Sequence, residues 1–137
     1  MTVTPFFAFD VCQDAYRRCV EQCGHIHALD PTAFKEHRWR PDRKPRPEDY
    51  IADFWLAGHE ALDREKLQSR VVLFDLYFTG TCPYEVARLW FGLSELGWVR
   101  WTEDIRRIVG KELIVRKIFP PKRYFEDFGA GAAKEGN

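Results

Sequence analysis

One short, sharply punctuated stretch does most to limit the fold. Between Tyr77 and Gly110, in YFTGTCPYEVARLWFGLSELGWVRWTEDIRRIVG, apolar residues recur at three- and four-residue steps on both sides of Gly92-Leu93-Ser94. That periodicity marks helices packed along one face. Gly92 supplies a stop and Ser94 a cap, so the spacing predicts two short helices meeting at a tight turn with Leu93 as its buried residue. In the first helix, Cys82 or Thr81 is the expected cap, Pro83 the first helical residue, and Glu85 an acid in the first turn. Its packed face is expected to be Val86, Ala87, Trp90 and Phe91. The second helix is expected from Glu95 to about Val109, with Trp98, Trp101 or Thr102, Ile105 and Val109 inward. Gly110 marks either its end or a tolerated break.

The rest of the chain extends the helical pattern. Asp10 to Cys23 carries Val11, Cys12, Ala15, Tyr16, Cys19, Val20 and Cys23 on one face, and Gly24 follows as a stop. Glu48 to Leu62 repeats the pattern through Tyr50, Ile51, Phe54, Trp55, Gly58 and Leu62. Asp63 then fits an N-cap for a helix from Arg64 to about Phe78, ended by Thr79-Gly80. Between the first two helices, the arm Lys35 to Pro47 holds six Lys or Arg against two acids, with three prolines favouring extended backbone. Lys111 to Phe119 fits a helix or a strand equally, and Pro120-Pro121 stops any helix there. The expected fold is all-α with about five helices. Its expected parts are an N-terminal helical segment (1–34), the basic arm (35–47), a helical domain (48–128) and a flexible tail (129–137).

Composition bounds the function classes. The chain has 137 residues, enough for one well-buried core, and eleven Phe with five Trp to fill it. Lys plus Arg balances Asp plus Glu at 21 each, so no global positive field draws the chain to phosphate backbones. No apolar run is long enough to cross a bilayer, and the N-terminus lacks the pattern of a signal peptide. A soluble, cytoplasmic chain with reduced thiols is the expectation. No Gly-rich phosphate loop, nucleophile elbow or H-E-x-x-H is present, so an enzyme is not expected.

Certain residues carry a family resemblance. An aliphatic-aromatic helix ending in Tyr77-Phe78-Thr79-Gly80, then Tyr84-Glu85-Val86-Ala87, then Gly92-Leu93-Ser94 before a helix of mixed polarity, together resemble the C-terminal helix-turn-helix domain of bacterial sigma factors. The resemblance spans about residues 73–109, roughly a quarter of the chain. It implies a DNA-binding transcription regulator acting as a homodimer or with RNA polymerase, the second helix entering a major groove. It places Ser94, Glu95, Gly97 and Arg100 at base edges and phosphates, and Thr81 at a backbone phosphate. Arg100 is the expected reader of guanine, with Arg106 and Arg107 at phosphates. The arm residues Arg38, Arg40, Arg43, Lys44 and Arg46, with Lys122 and Arg123, are the expected further phosphate contacts. Trp98 and Trp101 are larger than is usual in that family's second helix, and Glu95, Glu103 and Asp104 add negative charge to it.

Two other readings come from the residues themselves. Exposed aromatics on a structural hairpin would suit a protein-protein adaptor, and the same fold would also suit a nucleic-acid packaging or recombination accessory factor. Cys19, Cys23, His25 and His27 form C-x3-C-x-H-x-H, a ligand set that zinc accepts, although the spacing is not a strong zinc-finger signature. The same cysteines also fit the packed face of the first helix, so no cofactor is expected.

Overall fold

The computed structural model describes residues 3–23 and 46–125. They form an all-α bundle, with no strand among the described residues: α1 (Pro5–Cys23), α2 (Pro47–Arg64), α3 (Gln68–Leu73), α4 (Tyr84–Trp90), α5 (Glu95–Val115) and the single turn α6 (Lys122–Phe125). Lys111 to Val115 therefore extends the helix. α3 runs directly into a π-helical turn, Phe74–Phe78, whose wider register is closed by the Thr79 N–H donating to the Phe74 carbonyl at 2.9 Å.

The helices follow from their apolar spacing. α1 buries Phe9, Cys12, Ala15, Tyr16 and Cys19, the i, i+3, i+4, i+7 pattern of one face, and α2 answers with Tyr50, Ile51, Phe54, Ala57 and Leu62. Phe54 is the aromatic hub, stacked on Tyr16 at 4.9 Å and lying 5.9 Å from both Phe9 and Phe74. α5 closes the core with Ile105, Val109 and Leu113. The N-terminal segment therefore shares one core with the helices after the arm.

Three local expectations are corrected. The first helix begins at Pro5, five residues before Asp10, with the Thr4 hydroxyl accepting the Phe7 N–H at 3.1 Å. Asp63 does not cap a new helix: α2 runs on through Arg64, and the break falls at Glu65 to Leu67, where Lys66 takes a left-handed φ of 60°. Asp63 instead accepts from the Gln68 side chain at 2.8 Å across that break. Gly110 neither ends nor interrupts its helix. It lies mid-α5 where α1 crosses, and a Cβ there would sit 2.0 Å from the Pro5 carbonyl oxygen.

Polar contacts fix the outer seams. Arg106 of α5 forks onto Asp10 of α1, with Nε at 3.1 Å and Nη2 at 2.8 Å from its two oxygens. Glu112 joins Arg64 of α2 to Arg116, which also reaches Glu60 at 2.7 Å. Burial alone would raise the Glu112 carboxyl, but hydrogen bonds and charge from Arg116 and Arg64 outweigh it and hold the group below its ordinary range.

The α1–α5 crossing gives a direct test. Gly110→Ala forces two backbones apart, so urea unfolding should show a loss of about 2 kcal/mol or more, at the upper end of overpacking effects. Unchanged stability would show that the two helices do not approach at this point.

Candidate nucleic-acid interface

The hairpin of α4, its turn and α5 is built from local capping and one large anchor. Gly92 takes a φ of 66°, a left-handed conformation that costs other L-residues about 1–2 kcal/mol. Ser94 is the N-cap of α5, its hydroxyl accepting the Gly97 N–H at 3.0 Å. Arg88 clamps the same turn from both sides. Its carbonyl accepts the Leu93 N–H at 3.0 Å, and its Nη1 donates to the Leu93 carbonyl, also at 3.0 Å. Ala87 is fully buried, a small residue where α4 packs.

Trp98 joins these pieces to the body of the protein. Its ring meets Tyr77 of the π-helical turn edge-on at 4.8 Å and Tyr84 of α4 edge-on at 5.0 Å. Within this turn the adjacent rings of Tyr77 and Phe78 serve different partners, Phe78 lying 5.1 Å from Phe9 in the main core. Thus the large tryptophan that departs from the sigma-like pattern is a packing residue between three elements. Trp101 is half-buried, 5.5 Å from Phe91 and capped by the Arg70 guanidinium at 4.7 Å.

With that side packed, the opposite side of the first turns of α5 faces outward. Ser94, Glu95, Leu96, Val99, Arg100 and Glu103 are exposed, and Gly97 is half-buried. Arg100 makes no ion pair among the described residues. Arg106, expected at phosphate, is instead tied to Asp10 and lies over the Phe6 ring at 5.0 Å. Arg107 is exposed but pairs with Asp104 at 3.0 Å. Asp104 also takes Arg70 at 2.9 Å, so the acid is answered within the fold. From Asp104 onward the inner side of α5 belongs to the bundle, and only its outer edge, with Arg107 and Lys111, continues the open face.

The remaining expected residues are dispersed. Thr81 is exposed three positions ahead of α4, and the cap expected from Thr81 or Cys82 is absent because Pro83 occupies the N-cap. Arg46 is the N-cap residue ahead of α2, its N–H donating to Asp49 Oδ2 at 2.7 Å. Lys122 is exposed at the start of α6, and Arg123 lies within that turn. Arg38, Arg40, Arg43, Lys44, His25 and His27 lie outside the described residues. Cys19 is buried in the core, and burial pushes its thiol up to about 12, away from the thiolate that zinc requires. No group of three or more potential metal ligands occurs among the described residues.

The packed face expected of α4 is also corrected. Ala87 is buried and Phe91 half-buried, but Val86 is 55% and Trp90 68% exposed, joined by Leu89 at 68%. A seven-residue helix offers too few turns for spacing to separate its two faces. Arg88 carries no sequence signal for its part in the turn, because its partner is a backbone carbonyl, and the outward placement of Leu96 and Val99 shows only once the helix is placed.

Set against protein-family models, curated proteins and solved structures, the chain matches none. The case for a function therefore rests on the residues of this hairpin.

The cap separates structural from surface roles. Ser94→Ala should lower unfolding free energy by about 1 kcal/mol, and Ser94→Asp should restore it, since aspartate caps as well as serine. Equal losses in both variants, measured by thermal or urea denaturation, would show that the hydroxyl is not acting as a cap.

Proposed function

We propose that the chain is a DNA-binding transcription regulator of sigma-like helix-turn-helix type, cytoplasmic, and acting as a homodimer or with RNA polymerase. The observation that carries this is the outward side of Ser94 to Arg100, set beyond a capped turn while the opposite side is locked by Trp98. Inserted in a major groove, Arg100 can donate two hydrogen bonds to a guanine edge. Without an ion partner among the described residues, its fork is available. Arg107 and Lys111, exposed further along the same edge, suit flanking phosphates.

Electrostatics explain the need for a partner. The chain is neutral, and Arg70 and Arg106 are committed to Asp104 and Asp10 within the fold. Exposed Glu95 and Glu103 oppose phosphate, so a single copy would bind weakly. Two copies on neighbouring half-sites, or one copy delivered by a polymerase, would supply the missing affinity. No described helix is long and apolar enough to cross a membrane.

A second reading, a helical protein-protein adaptor, is favoured by one observation. Val86, Leu89 and Trp90 give α4 an apolar outer side, and exposed tryptophan is a common interface anchor. The two readings part on DNA affinity. In a salt series with the full chain and duplexes selected from a random pool, binding should weaken as salt rises. Arg100→Ala should cut discrimination at one base position by roughly tenfold or more, the scale of a bidentate guanine contact. No binding even at low salt would leave the adaptor reading standing, whereas an equal loss on all sequences would make Arg100 a phosphate contact.

A further inference from the structure

We infer that Leu96 and Val99 read thymine through its C5-methyl group, beside the guanine that Arg100 bonds, so that the preferred targets combine thymine and guanine. The inference rests on the DNA-binding reading and specifies its target class. Leu96 is 60% and Val99 46% exposed, and with Arg100 they occupy i, i+3 and i+4 on one outward side of α5. One exposed aliphatic is ordinary, but two lying beside an arginine that makes no ion pair among the described residues, on the side aimed by a capped turn, form a continuous surface of stated chemistry.

The residue types on that side restrict what they can recognise. Adenine is read in the major groove by the paired donor and acceptor of Asn or Gln, and α5 contains neither. An A·T pair can therefore be recognised there through the thymine methyl, which takes apolar contact. Arg100 supplies the match for guanine. Glu103, one turn beyond Arg100, can accept from a cytosine amino group, including that of the cytosine paired with a neighbouring guanine. Leu96 and Arg100 are four residues apart, or ~6 Å along a helix rising 1.5 Å per residue, so both can reach one short run of base edges.

Uracil gives the test because it keeps every hydrogen-bonding group of thymine and lacks only the methyl. The full chain would be used to select duplexes from a random pool at low salt, and each thymine of the selected site would then be replaced by uracil in turn. Wild type should lose roughly fourfold in affinity for each contacted methyl, the factor expected for one buried methyl-sized group. Leu96→Ala and Val99→Ala should bind the thymine site more weakly and lose sensitivity to uracil at one position each. Both side chains are exposed, so folding should survive, as circular dichroism would verify. Selected sites without thymine, or unchanged affinity after every uracil replacement, would overturn the inference while leaving DNA binding intact. A pool that yields no bound duplex would overturn both.

Discussion

The placement of Trp98 governs how the rest of the hairpin is presented. Its ring contacts both Tyr77 and Tyr84, so the π-helical turn, α4 and the first turns of α5 are held by one side chain. Each such aromatic pair adds about 0.5–1.5 kcal/mol beyond area burial, and here the geometry matters more than the sum. Further along α5, Gly110 admits the Pro5 backbone and Arg106 grips Asp10. The helix is thus anchored along one side while the outer side of its opening turns remains open. A helix held this way can present side chains to a ligand without first ordering its backbone.

Much of this was legible in the sequence because the responsible forces are local or periodic. Apolar spacing located the helices, and Gly92 and Ser94 located the turn, since left-handed backbone and N-cap bonding each favour few residue types. The π-helical turn was not legible. It adds one residue to a hydrogen-bonded ring without changing composition, and it carries both Phe78, which meets Phe9, and Tyr77, which meets Trp98. Asp63 misled for a related reason. A good capping residue stands three positions before the left-handed Lys66, and the chain breaks at the lysine.

The candidate surface was less legible than the fold. Arg106 looked free because Asp10, its partner, is 96 positions away in sequence. Asp104 looked hostile to phosphate because Arg70, on another helix, could not be seen beside it. Val86 and Trp90 resembled core residues by composition, and only their placement on α4 shows them outside. The charged groups thus divide between internal seams and an outer side that carries Arg100, Arg107 and Lys111 together with Glu95 and Glu103. That division reconciles a neutral chain with the proposed nucleic-acid surface, and it also explains why a partner enters the proposal.

Amide chemical-shift mapping on the full chain, titrated with a duplex from the selected pool, reads out whether the open side of α5 meets DNA. The largest changes should fall between Ser94 and Glu103 and along the outer edge through Arg107, with Ile105, Val109 and Leu113 little affected. Changes confined to Val86, Leu89 and Trp90, or none at all at saturating duplex, would contradict the proposed interface.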